Sequence, residues 1–187
     1  MRVLRSVLCA LMLLPLLAVQ PARGAEKLTV ESAWVNVRGA VFEVNARIVY
    51  PVDKRMREAL ADGATVHFDL QAVVEKDSRY WFDTELVDVI LRRALSWNAL
   101  TQRFELKAEG SSELSSFDTL EDALAATGEV VNWPVVVETQ LDPDANYRIR
   151  VRAGYRRGSL PSSLNALLPW SDGWNRRSEW SSWILPR

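Results

Sequence analysis

The sequence NYRIRVRAGYRR, residues 146 to 157, decides the fold class of this chain. Apolar side chains occupy alternate positions through most of it, and arginines fill positions between them. Side chains that alternate with a period of two point to opposite faces of a β-strand. The stretch therefore predicts a strand with one buried apolar face and one face of guanidinium groups, which come from Arg148, Arg150, Arg152 and Arg156.

A tail rich in tryptophan follows this strand. It holds half of the chain's eight tryptophans, which are Trp170, Trp174, Trp180 and Trp183. Indole rings bury a large apolar area and so can close a core, but they can also anchor a protein partner or stack on a sugar. Both interpretations of the tail stay open at this point.

The N-terminus predicts a secretory signal peptide over residues 1 to 25. A basic start precedes an apolar run over residues 7 to 19, which is too short to span a bilayer, and small residues follow it. Cleavage is expected near Gly24 or Ala25. An uncleaved membrane anchor is the alternative. No second long apolar run is present, so we expect no transmembrane segment in the mature chain.

The only cysteine, Cys9, lies inside that apolar run, so the mature chain has none. Export without disulfides argues against a small disulfide-stabilised extracellular domain and favours the bacterial periplasm. The chain has 23 basic and 24 acidic residues, and three basic residues leave with the signal peptide. The expected mature net charge, 20 − 24 = −4, argues against nucleic acid as a partner, because nucleic-acid-binding domains carry a basic excess.

Other alternating segments predict further antiparallel strands. Residues 40 to 50 and 64 to 74 place apolar side chains at alternate positions. Residues 28 to 37 are apolar on both sides, which predicts a strand covered on both faces. Pro134 lies in a later strand and predicts a sheet edge or a strand start, because proline cannot donate a backbone hydrogen bond.

Two short helices are predicted between these strands. Asp53 is a suitable N-cap for a helix over residues 54 to 62, and Asp118-x-x-Glu121 has the form of a capping box for the second. We therefore predict a mostly β, antiparallel sandwich-like single domain over residues 26 to 187. An α+β open antiparallel sheet with helices on one face is the alternative.

Several motifs, taken in order, support a resemblance to a known family. They are EALADGATV from residue 58, YWFD from residue 80, WNALTQRF from residue 97, FDTLEDAL from residue 117, and Leu160-Pro161 with Trp174, Ser178, Glu179, Trp180 and Trp183. The chain resembles a family of exported bacterial proteins described as a domain of unknown function (DUF 4390). The resemblance implies an exported single domain and supplies no catalytic residues. It also implies a sensor-kinase partner, because family members tend to be encoded beside a membrane sensor kinase.

The sequence shows no motif for catalysis, metal binding or a cofactor. Zinc sites need clustered histidine or cysteine ligands, and the chain has a single histidine, His67. Asp69 would share its strand face, but no G-x-S-x-G nucleophile motif is present, so we interpret this pair as a solvated polar face. We therefore predict that the protein is not an enzyme and that it has no catalytic, cofactor-binding or metal-binding residues.

The polar strand face and the tail are the predicted contact surface. The predicted partner-binding residues are Arg148, Arg150, Arg152, Arg156, Trp174, Trp180 and Trp183. Guanidinium groups match carboxylates and phosphates, so this face suits an acidic partner or anionic lipid headgroups. The alternative interpretation, a solvated face neutralised by acids of neighbouring strands, is the one that the net acidic mature chain favours. The predicted function is a non-enzymatic interaction or accessory module of an envelope signalling or assembly system. A periplasmic ligand-binding or glycan-binding domain that uses surface aromatic residues is the alternative.

Overall fold

The computed structural model describes residues 27–77, 84–158 and 174–186. The predicted signal peptide, the YWFD motif and the Leu160-Pro161 motif lie outside the described residues. The described elements, in chain order, are β1 (Thr29–Arg38), β2 (Val41–Val49), α1 (Lys54–Ala61), β3 (Val66–Lys76), β4 (Thr84–Asn98), β5 (Arg103–Ala108), β6 (Leu114–Phe117), α2 (Leu120–Gly128), β7 (Glu129–Val137), β8 (Tyr147–Arg157), β9 (Asn175–Arg177) and β10 (Ser181–Ile184).

These strands form two antiparallel sheets. The small sheet has the order β1-β2-β7, and the large sheet has the order β10-β8-β3-β4-β5-β6. Strand β9 pairs with the same edge of β8 as β10 does, but further along that strand. Neither sheet closes on itself, and the two enclose a shared core. The predicted mostly β, sandwich-like fold with two short helices is confirmed. No described helix has the length and apolar character that a membrane span requires.

The core comes from the inward sides of β2, β3 and β8, whose alternation is visible in the sequence. Their buried side chains include Val44, Ala46, Ile48, Phe68, Leu70, Val74, Ile149, Val151 and Ala153. Burying an aliphatic or aromatic side chain of this size contributes about 1.5–3 kcal/mol relative to leaving it exposed. Tyr50 is also buried in this core, and the centre of its ring lies 4.8 Å from that of Phe68.

Strand β1 differs from its prediction. It pairs only with β2, so it forms an edge of the small sheet, and its Trp34 and Val37 are each 49% exposed. The expectation that this strand is covered on both faces was wrong. Apolar residues on both sides of a strand do not reveal whether a second neighbour or a second layer covers it. Strand β7 also lies at an edge, as Pro134 predicted.

The two helices begin at polar caps. Helix α1 begins as predicted, because the Asp53 carboxylate accepts a hydrogen bond of 2.7 Å from the Met56 backbone amide. Helix α2 begins one position later than the predicted capping box. Its N-cap is Thr119, whose hydroxyl oxygen accepts from the Asp122 amide at 3.1 Å. Asp118 forms an ion pair with Arg103 instead, so its carboxylate is committed to the neighbouring strand.

Candidate functional site

The predicted arginines all lie on the outer face of the large sheet. The residues between them in β8, such as Ile149 and Val151, are buried, so alternation turns the arginines away from the core. We use the name arginine face for the surface formed by Arg148, Arg150, Arg152 and Arg156 of β8 together with Arg177 of β9. Arg177 belongs to this surface because it lies opposite Gly154 in register.

Acids of β3 neutralise part of this face. Arg150 forms a hydrogen-bonded ion pair with Glu75, and Arg156 lies 3.6 Å from a carboxylate oxygen of Asp69. Arg152 instead donates a 2.8 Å hydrogen bond to the side-chain oxygen of Gln71, which is a neutral partner. The structure therefore contains cross-strand ion pairs of the kind that the alternative interpretation expected, but within residues 27–77, 84–158 and 174–186 Arg152 is not part of one.

Trp180 lies over two of the arginines. The guanidinium carbon of Arg150 is 4.7 Å from the centre of its ring, and that of Arg152 is 4.3 Å away. Such cation–π contacts contribute about 0.5–1 kcal/mol at exposed sites and more when desolvated. The indole ring therefore holds two neighbouring guanidinium groups in one orientation on an accessible sheet face.

The other two described tryptophans of the predicted contact set pack against the core. Trp174 lies with its ring centre 5.2 Å from that of Tyr155. Trp183 sits opposite Ile149 in the register of β10 and β8 and packs against the main core. Trp170 lies outside the described residues. Of the three described tryptophans of this set, only Trp180 lies over the arginines.

Two other cations lie near the guanidinium group of Arg152. Its pKa is lowered from the ordinary value by burial first, and then by the charges of Arg177 and Arg150. Among the described residues, neither Arg152 nor Arg177 forms an ion pair with a carboxylate. In the part of the chain that the structure describes, β8 and β9 carry five arginines on this face, whereas β3 contributes two acids, Asp69 and Glu75, and β4 contributes Asp88, which also acts on Arg152. This part of the surface is therefore cationic, although the mature chain is expected to be net acidic.

His67 lies on the same outer face, in register with Arg156. Burial, followed by the charge of Arg156, lowers the pKa of His67 from its ordinary value, so the neutral imidazole is favoured at neutral pH. Within the described residues, no hydrogen bond joins His67 to Asp69, whose carboxylate contacts Arg156 and Arg92. No group of three or more histidine, aspartate or glutamate side chains in that part of the chain is arranged to hold a metal ion.

Sequence reasoning missed two contributors to this surface. Arg177 belongs to a three-residue strand, which is too short to show alternation. Gln71 appeared as an ordinary polar residue, yet it links Arg152 on one side to Asp88 on the other, with hydrogen bonds of 2.8 and 2.9 Å. Only the cross-strand register identifies such a chain of hydrogen bonds, because the bonds join residues that are far apart in the sequence.

Comparison with known proteins identifies the family. The family profile described as "Domain of unknown function (DUF4390)" matches residues 25–184. A search of curated proteins and a search of solved structures each returned no match. The match spans nearly the whole chain, and it confirms the resemblance that the ordered motifs predicted. The chain therefore belongs to the family described as a domain of unknown function (DUF4390).

Proposed function

We propose that this protein is a non-enzymatic interaction module of the bacterial envelope, and that its arginine face binds an acidic segment of a partner protein. The observation that carries this proposal is the pair Arg150 and Arg152, held against Trp180 on a cationic sheet face. Guanidinium groups bind carboxylates in a bidentate geometry, and arginine and tryptophan are enriched among residues that dominate binding energy.

The scaffold supports this role because it orders the arginines in advance. Strand β8 has neighbours on both sides, and its alternate residues are buried in the core. Side chains that are already ordered lose less conformational entropy when a partner binds. An acidic segment that meets Arg152 and Arg177 would also relieve the repulsion between two cations that lack a described carboxylate partner.

The cellular setting rests on the predicted signal peptide, which would place the mature domain in the periplasm. We propose an envelope signalling or assembly system as its context. A membrane sensor kinase is the first partner to test, because relatives tend to be encoded beside one. The periplasmic part of such a kinase would need an acidic segment to match the charge of the arginine face.

A photo-crosslinking side chain at Ser182 tests this proposal in living cells. Ser182 is exposed and lies opposite Arg150 in register, so the probe reports on the arginine face without removing an arginine. We expect one discrete protein adduct whose crosslinked peptide is acidic. Replacing Arg152 with glutamate in the same background is expected to reduce the adduct about tenfold, which corresponds to about 1.4 kcal/mol of binding energy.

The matched control is Arg47→Glu, which makes the same charge change at an exposed position of the small sheet. This variant is expected to leave the adduct unchanged. Equal losses in both variants would indicate a general charge effect and would contradict the proposal. An adduct that does not respond to Arg152→Glu would contradict it as well, provided that both variants melt like the parent protein.

The alternative, glycan binding through surface aromatic residues, now depends on a different residue. Trp34 is 49% exposed on the small sheet, whereas Trp174 and Trp183 pack against the core. Quenching of tryptophan fluorescence by cell-wall fragments, lost in Trp34→Ala, would favour this alternative over the protein-binding role.

A further inference from the structure

A small hollow opens on the arginine face directly above Gly154. Its volume is about 90 Å³, and Arg152, Arg156 and Arg177 contribute to its walls together with Asp69. Measured in the same way, one water molecule needs a volume of about 10–15 Å³, so the hollow has room for several waters or for a compact oxyanion.

The absence of a side chain at Gly154 creates this hollow. Every other outward-facing position of β8 between residues 148 and 156 carries an arginine, whereas Gly154 has no side chain and is itself buried. A β-carbon added there would lie 3.3 Å from the backbone oxygen of Arg176 and 3.5 Å from the side chain of Arg177. Any larger residue would therefore press on β9 and occupy the floor of the hollow.

The charges around the hollow favour a divalent anion. Three arginines and one acid line it, which leaves a net charge of +2. Asp69 forms only long ion pairs, at 3.6 Å to Arg156 and 4.0 Å to Arg92, and its Oδ1 accepts no hydrogen bond among the described residues. Arg152 and Arg177 form no ion pair with a described carboxylate, so the cations still outnumber the acid. A phosphate group carries a charge of about −1.5 to −2 at pH 7, and it offers three acceptor oxygens to guanidinium donors.

A wider groove adjoins the hollow across Arg156. Its volume is about 620 Å³, and Arg92, Lys107, Glu109 and His67 are among the residues that line it. Pockets for small ligands usually have volumes of about 300 to 1,000 Å³. The groove could thus hold the organic part of a molecule whose anionic group sits in the hollow.

We propose that the hollow above Gly154 binds the phosphate group of a small phosphorylated molecule, whose remainder lies in the adjoining groove. This inference goes beyond the proposed protein-binding function and requires no protein partner. Sequence alone does not suggest it, because the arginine of β9 and the glycine of β8 meet only in the folded sheet.

Isothermal titration of the purified protein with inorganic phosphate and with glycerol 3-phosphate, at constant ionic strength, tests this proposal. We expect phosphate to bind with a dissociation constant of about 1 mM, which is about −4 kcal/mol. Glycerol 3-phosphate is expected to bind more tightly, because its carbon chain reaches the groove. Arg177→Gln is expected to weaken both by at least about tenfold, since it removes a charged hydrogen-bond donor.

Arg176→Gln is the matched control. It removes the same charge from the adjacent residue, which does not line the hollow, and it is expected to change binding by less than about twofold. Gly154→Ser provides a second variant, because it fills the floor without changing charge and is expected to abolish binding. Equal weakening in the two arginine variants, or unchanged binding in Gly154→Ser, would overturn the proposal.

Vesicles test whether the bound phosphate belongs to a lipid headgroup or to a soluble molecule. Phosphatidylcholine vesicles with and without phosphatidylglycerol are mixed with the protein and sedimented. The proposal expects no Arg177-dependent sedimentation. Binding to the anionic vesicles that depends on Arg177, without any heat from the soluble phosphates, would assign the hollow to lipid headgroups and overturn the small-molecule assignment. Absence of binding to every probe would overturn it too.

Discussion

Replacing Gly128 with alanine is expected to lower the free energy of unfolding by about 3 kcal/mol or more, since the new methyl group meets backbone that cannot move alone. A β-carbon at this position would lie 2.0 Å from the carbonyl oxygen of Ile48. Ile48 lies in β2, the central strand of the small sheet, and its side chain is buried. Relief of the clash requires helix α2 or strand β2 to shift.

Thermal unfolding followed by circular dichroism measures this effect. A loss of about 3 kcal/mol corresponds to a fall in melting temperature of about 6–12 °C for a domain of this size. Gly110→Ala serves as the comparison, because nothing lies within 4 Å of its added β-carbon. Its cost is expected to be about 1 kcal/mol, which comes from a backbone φ of +78° alone. Equal melting temperatures for the two variants would show that the close approach at Gly128 is unimportant.

Replacing Arg93 with methionine is expected to lower the free energy of unfolding by about 2–3 kcal/mol. Arg93 lies on the inward side of β4, in register with Phe68, where an apolar residue would be usual. One of its terminal nitrogens, Nη1, donates to the carbonyl oxygens of Ala126, Thr127 and Glu129 at 3.1, 2.7 and 2.8 Å. These carbonyls lie at the end of helix α2. The helix has no basic residue in its own last turn, so Arg93 of β4 supplies the cation.

The physical basis of this prediction is the unpaired end of a helix. The last carbonyls of an α-helix have no partner within the helix, and the negative end of its dipole favours a cation. Burial lowers the pKa of Arg93 from its ordinary value, so the side chain bears a desolvation cost that the three hydrogen bonds must offset. Methionine retains much of the apolar stem but removes this donor from the three carbonyls, of which one belongs to the buried Thr127.

Urea unfolding at neutral pH measures the change, and Arg93→Lys is the informative control. Lysine keeps the positive charge but lacks the planar fork, so it is expected to recover about half of the lost stability. A methionine variant as stable as the parent would show that desolvation of the guanidinium outweighs its hydrogen bonds. Gly128→Ala alters neither the arginine face nor the adjoining groove, so it separates folding defects from binding defects. Arg93 lines that groove, so its variants report on stability only.

Local patterns determined most of the architecture. The alternation in β2, β3 and β8 identified which side of each strand is buried, because the side-chain period of a strand is a property of its own backbone. Asp53 marked the start of helix α1 in the same way, since an N-cap acts within three residues. The family resemblance also followed from ordered motifs in the sequence.

Only the tertiary structure decided which groups meet. Arg150 pairs with Glu75 across 75 positions of sequence, and Arg93 reaches carbonyls more than 30 positions away. The arrangement of Trp180 over two arginines and the hollow above Gly154 depend on β9 and β10 joining the edge of β8. The sequence by itself therefore determined strands β2, β3 and β8, their buried sides and the four arginines of β8. Strand order and register decided the partners of that face, because cross-strand contacts join residues that local periodicity cannot relate.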